Sequence, residues 1–134
     1  MKNNILVDAS VIANLFLSTN NEIKNALGKK LVESELYSIS HLHYEVNNAI
    51  GKTVRKDLLK RIDYYYQVTQ LPITYIAPTD EDFRLAHFIS MSLDESFYDS
   101  CYHAAAIMRG YAFLTFDKKY HRKAEQFGLI ELLS

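Results

Sequence analysis

The feature that most constrains this chain is the alternation of short apolar runs with longer stretches of helical period. Ile5-Leu6-Val7 is a branched apolar run ended by an acid and a serine, as expected of a strand buried in a parallel sheet. Leu36 to Ile39, Ile73 to Ile76, Tyr111 to Leu114 and Leu129 to Leu133 read as further strands. Between them lie helical stretches: Val11 to Leu17, then Ile23, Ala26, Leu27, Leu31 and Val32 at helical spacing, then His41 to Ile50. Leu58 to Thr69, Asp80 to Met91, Ser96 to Met108 and Lys118 to Gln126 continue the series. About five strands alternating with helices predict an α/β domain of three layers, α/β/α, with a mainly parallel sheet.

Punctuation residues sharpen the boundaries. Ser10, Ser40 and Ser96 are candidate N-caps, because a serine hydroxyl can accept from a free backbone N–H of the first turn. Gly51 and Gly110 are candidate helix stops, and Leu71-Pro72 is a break. Asp80, Glu81 and Asp82 open their helix where acids oppose the positive end of its dipole.

The chain has 134 residues, a size that predicts a single domain over 1–134. Hydrophobic residues make up 49% and charged residues 23%, which excludes a disordered chain. The formal net charge of −1 gives none of the basic footprint of a nucleic-acid coat protein, so a nucleic-acid substrate needs local patches or metal ions. Cys101 is the single cysteine, excluding an intrachain disulfide and a thiolate zinc cluster within one chain, and a reducing cytoplasm fits. The apolar run before Asp8 is too short for a signal peptide and no stretch approaches a membrane span, so a soluble, untargeted protein is expected.

Asp8 and Asp117 are both placed just beyond the C-terminal ends of strands, where ligands of open parallel sheets bind. Two acids there repel each other unless a cation neutralises them. Magnesium prefers hard oxygen ligands and keeps several waters, so a few carboxylates suffice while positions remain for a phosphate and an attacking water. Mg²⁺ or Mn²⁺ is therefore the expected counterpart, in a site suited to phosphodiester hydrolysis.

Four blocks, ILVDAS, HLHYEVNNAI, SFYDSCYHAAA and FLTFDKKYHRKAEQFG, resemble in order the acidic blocks of PIN domains, particularly those of VapC-like toxins. The resemblance spans nearly the whole chain. It implies a five-stranded parallel sheet flanked by helices, one or two Mg²⁺ or Mn²⁺ ions, and hydrolysis of single-stranded RNA. By block, Asp8 matches the first family acid, Glu45 the helical glutamate, Asp99 the acid of the Tyr-Asp segment and Asp117 that of Thr-x-Asp. The resemblance assigns all four as catalytic and metal-binding, Asp8 and Asp117 first, with Glu45 as ligand or water-positioning base. It also implies a cognate antitoxin covering the acidic groove, and a homodimer. A PIN nuclease of RNA maturation would use the same acids; a nonhydrolytic PIN-like scaffold is the reading of a different class.

Ser10 and Thr115 stand beside the acids and can bond a carboxylate or phosphate, although caps and turns explain both equally well. Asn48 shares a helix face with Glu45. His103, four residues after Asp99, is more simply a packed or surface histidine than a ligand, and Cys101 a small buried hydrophobe than a nucleophile. Lys52, Arg55, Lys56, Lys60 and Arg61 form one basic segment, and Lys118, Lys119, Arg122 and Lys123 another. Such runs are usually solvated helix faces, and closeness to the acids would favour RNA contact. Among the 10 tyrosines, most, including Tyr64, Tyr65 and Tyr66, are expected in packing or partner contacts, with base stacking open to some.

Overall fold

The computed structural model describes residues 2–132. Its strands are β1 (Asn3–Val7), β2 (Ser34–Ile39), β3 (Ile73–Ile76), β4 (Ala112–Thr115) and β5 (Ile130–Leu132). The helices are α1 (Ala9–Leu17), α2 (Asn21–Val32), α3 (Leu42–Val54), α4 (Leu58–Thr69), α5 (Asp80–Leu93), α6 (Phe97–Arg109) and α7 (Lys118–Ala124), the last followed by a 3₁₀ turn over Glu125–Phe127. All strand pairings are parallel, in the order β3-β2-β1-β4-β5. This is the expected three-layer α/β/α arrangement. The expected extension of the last strand to Leu133 lies outside the described residues.

β1 is central because its side chains have nowhere wet to go. Ile5, Leu6 and Val7 are at most 2% exposed, and Ile5 pairs with Leu36 on one side and Ala112 on the other. α6 completes the enclosure: residues 100–106 are all buried, and it packs on α5, β4, β1 and β2. The small side chains of Ala104, Ala105 and Ala106 allow that close approach, while Tyr102 and Phe113 stack with ring centroids 6.3 Å apart.

Three local expectations are corrected. α1 is capped by Asp8 rather than Ser10, and it is the Asp8 side chain that accepts from the Val11 N–H. α3 starts after His41 with no side-chain cap, so Ser40 does not serve as one. α3 also runs through Gly51 to Val54, with the Arg61 guanidinium lying over the glycine and donating to the Arg55 carbonyl at 3.0 Å. The lack of a side chain at Gly51 makes room for that contact. Gly110, by contrast, does end α6, in the left-handed conformation that glycine adopts without a steric cost.

Asp82 does more than oppose a helix dipole. It is 2% exposed, accepts the Thr79 backbone N–H at 2.8 Å in a capping box, and takes two Arg109 nitrogens at 3.0 and 2.9 Å. Burial is the largest single influence and works against the charged form, but the hydrogen bonds from Arg109 and Thr79 and the Arg109 charge together outweigh it and hold the carboxyl below its ordinary range. The pair joins the start of α5 to the end of α6. Removing one partner strands the other charge, so Asp82→Ala should lower stability by about 2–4 kcal/mol in urea unfolding. Asp82→Asn, which keeps an acceptor for the Thr79 N–H, should lose less; equal losses in the two variants would locate the effect in the Arg109 ion pair alone.

Candidate active site

With β2 and β3 on one side of β1, and β4 and β5 on the other, the topology reverses between β1 and β4. A crevice opens at such a point, beyond the carboxyl ends of the two strands. Asp8 directly follows β1 and Asp117 stands just past β4, so chain direction alone brings both acids to the crevice.

One hydrogen-bond network ties the two strand ends together. The Asp8 carboxylate accepts from the Ser10 hydroxyl and from the Val11 N–H at 3.2 Å through Oδ1, and from the Thr115 hydroxyl at 2.6 Å through Oδ2. Ser10 Oγ in turn accepts the Phe116 N–H at 3.0 Å, and Thr115 Oγ1 accepts the Asp117 N–H at 3.0 Å. Asp117 Oδ1 caps α7 by accepting the Tyr120 N–H at 2.9 Å. Ser10 and Thr115 therefore hold the acids in place through direct bonds to Asp8 and to the segment carrying Asp117.

Glu45 comes from the first turn of α3 and Asp99 from the first turn of α6. Glu45 Oε1 accepts the Tyr102 hydroxyl at 3.1 Å and lies 3.1 Å from His41 Nε2. Both contacts fall on one oxygen. Glu45 and Asp99 line a hollow of about 420 Å³ with His41, Tyr44, Asn48, Ser96 and Tyr98. A second hollow, about 260 Å³, lies across α3 and is lined by Ser10, Glu45, Asn48 and Lys52 among others. Glu45 and Asn48 thus form the ridge between two parts of one groove.

The electrostatics are those of crowded acids. Burial is the main reason that Asp8 is raised to about 6, overriding its three hydrogen bonds, with the Glu45 charge adding to the rise. Asp99 is raised to about 7, first by burial and then by the charges of Asp117, Asp8, Glu45 and Glu95. The other three expected acids therefore all act on Asp99. Glu95 is a fifth, not anticipated from the sequence; it is bound to Lys123 at 2.9 Å and lies 3.8 Å from Lys119. Nothing in the helical period points to Glu95, which precedes the Ser96 cap; only the packing of α7 against α5 gives it a role.

Among the described residues, no three His, Cys, Asp or Glu side chains enclose a metal position as they stand. The donor set nevertheless suits a hard divalent cation, since it is rich in carboxylate oxygens and Mg²⁺ needs only a few of them. His103 and Cys101, the softer candidates on α6, are engaged elsewhere. His103 is fully buried with Nδ1 3.1 Å from the Tyr120 hydroxyl and Nε2 2.8 Å from the Gly128 carbonyl oxygen, and burial lowers its pKa. Burial pushes the Cys101 thiol up to about 11, far from the thiolate a nucleophile needs.

The two basic segments differ in their surroundings. Lys52 projects into the second hollow beside Ser10 and Glu45, whereas Lys123 is committed to Glu95 and the Leu93 carbonyl. Tyr102, His41 and Tyr98 were not singled out by the sequence, because a buried tyrosine, an exposed tyrosine and a surface histidine have no distinguishing spacing.

The family model described as PIN domain matches residues 5–126. No curated protein matches the chain. Solved structures similar to it include PAE2754 from Pyrobaculum aerophilum, at 22% identity over 92% of this chain and 87% of that one, with a TM-score of 0.63. A toxin-antitoxin complex from Klebsiella pneumoniae matches at 14% identity over 95% of each chain, with a TM-score of 0.67. VapBC2 from Rickettsia felis, bound to a DNA fragment from their promoter, matches at 10% identity over 97% of each chain, with a TM-score of 0.71. At these identities the likeness is one of fold.

A carboxyl whose pKa is raised on folding binds more protons folded than unfolded between its two pKa values, so its contribution to stability falls as pH rises through that window. For Asp99 the window runs from its ordinary value of 3.8 to about 7. In EDTA, Asp99→Asn should therefore melt higher than the unsubstituted protein at pH 7.5, and the gap should shrink at pH 5. Thermal unfolding at both pH values checks this; a gap that does not change with pH would mean that Asp99 carries no such strain.

Proposed function

Because this chain belongs to the PIN domain family, whose members are generally nucleases, we propose that it is a divalent-metal-dependent endoribonuclease, the toxin of a toxin-antitoxin pair. The observation that carries the proposal is the convergence of acids from separate elements near the β1–β4 reversal, where Asp8, Glu45 and Asp117 all lie in electrostatic range of Asp99.

Asp8 and Asp117 would hold the cation, with Asp99 beside them and Glu45 as ligand or base. When bound, Mg²⁺ or Mn²⁺ supplies Lewis acidity and neutralises charge that develops on a phosphodiester during displacement by water. The protein's own groups do the rest. Ser10 and Thr115 fix the Asp8 carboxylate through both oxygens, so its position costs no reorganisation when substrate arrives. Glu45 is held through Oε1, leaving Oε2 to orient a water and take its proton. Lys52, at the far end of the groove, can meet a phosphate of the strand.

The toxin reading draws on the neighbours described as a toxin-antitoxin complex and as VapBC2. It also draws on apolar side chains that the fold leaves uncovered: Leu58, Leu59, Ile62 and Tyr66 on α4, and Phe88 and Met91 on α5 are more than half exposed. Such patches suit protein partners, here an antitoxin and a second copy of the chain. No helix among the described residues is long and apolar enough to cross a membrane.

The purified, antitoxin-free protein should cleave single-stranded RNA with Mg²⁺ or Mn²⁺ and stop in EDTA. Asp8→Asn and Asp117→Asn should each reduce the rate by about 100-fold or more. Binding without cleavage across a broad RNA panel would favour the nonhydrolytic scaffold. Lys52→Ala should weaken RNA binding and flatten the plot of log affinity against log salt by about 0.7 for one lost phosphate contact. An unchanged slope would remove Lys52 from the RNA path.

A further inference from the structure

The larger hollow has an aromatic wall that the carboxylate chemistry leaves unexplained. The His41 and Tyr98 rings stack with centroids 4.3 Å apart and planes within 3°, and Tyr44 lies 6.0 Å from His41 at a tilt. Tyr98 is 57% exposed and Tyr44 75%. Packing does not require Tyr98 to stand there, because the preceding residue, Phe97, anchors the start of α6 by packing at a tilt on His87 at 4.3 Å and stacking on Phe83 at 6.1 Å. His41 is itself held 3.1 Å from Glu45 Oε1. The stack is therefore tied to one of the site's own carboxylates.

We propose that Tyr98, backed by His41, and Tyr44 form a platform on which one unpaired base of an RNA strand stacks beside the acidic cluster. The identity of the strand rests on the nuclease reading above, although the platform needs no hydrolysis to work. An ordered pair of rings binds a base with little further loss of side-chain freedom, and base–aromatic stacking tolerates every base because each has a π-face. The hollow's volume, about 420 Å³, falls within the range of roughly 300–1,000 Å³ typical of small-ligand sites. Asn48, exposed on the same wall, offers both a donor and an acceptor to a base edge and is the residue placed to express a base preference. A strand with its base in this hollow crosses the Glu45–Asn48 ridge toward Lys52 in the second. A paired base cannot enter without leaving its duplex, so the platform also selects single strands.

The test uses the full chain and a short single-stranded RNA carrying one 2-aminopurine, in EDTA so that the strand stays intact. Stacking on the platform should quench the fluorescence. Tyr98→Ala and Tyr44→Ala should each weaken binding by about 5- to 100-fold and reduce the quench, while Tyr98→Phe keeps both. Tyr44 is so exposed that its alanine variant keeps the fold even if Tyr98→Ala does not, and circular dichroism checks each. Alanine variants that bind and quench like the parent protein overturn the platform. If the parent cleaves RNA with metal yet never quenches the probe, the platform falls and the nuclease reading stands. If it quenches the probe in a Tyr98-dependent way but cleaves nothing with any metal, the platform stands and the nuclease reading falls.

Discussion

The structure depends on one buried carboxylate. Asp8 closes the central strand, caps the first helix and binds the end of the strand beside it through Thr115. A charged group so enclosed is normally disfavoured, and burial does raise its pKa. Three donors nevertheless converge on it, two of them hydroxyls from opposite sides of the β1–β4 reversal. The same bonds that make its burial tolerable set the position of the crevice, so fold and site meet at one side chain.

Crowding acids at that crevice works against stability, and the rest of the chain offsets it at a distance. The α5–α6 pair is tightly joined, with Asp82 and Arg109 bonded twice and Ala86, Ile89 and Leu93 buried beneath. Lys123 neutralises Glu95 and reaches the Leu93 carbonyl, keeping a fifth acid from adding fully to the repulsion around Asp99. A crevice of crowded acids is thus set in a frame held by a paired charge and buried apolar side chains, a common division between functional and structural residues. The chain's net charge of −1 therefore conceals local differences. Its charges are sorted locally, acids at the crevice and Lys52 at one end of the groove, rather than spread as a basic face.

Much of this was legible in the sequence because it depends on neighbours along the chain. Period and composition marked Ile5 to Val7 as a buried strand, and an acid after such a strand in a parallel sheet must emerge at the ligand-binding edge, as Asp8 and Asp117 do. Ser96 and Gly110 bound α6 as their local chemistry requires. Local rules failed where two residues could serve the same end. Asp8 and Ser10 are both good caps, and the choice fell to Asp8 because Ser10 was needed to bond Asp8 and the Phe116 N–H. Gly51 reads as a stop, yet Arg61 from the next helix uses the space it leaves.

The sequence by itself determined the order of strands and helices and the place of Asp8 and Asp117 beyond strand ends, since both follow from periodicity and from chain direction, while Glu45 and Asp99 joined them through the family resemblance. The tertiary structure alone decided which strands lie side by side, and with them the reversal between β1 and β4. It also decided that Tyr102 and His41 hold Glu45, that Glu95 comes within electrostatic range of Asp99, and that His103 turns into the core toward Tyr120 and Gly128. Those contacts join residues far apart in the chain, whose meeting is set by how the layers pack and leaves no trace in local spacing.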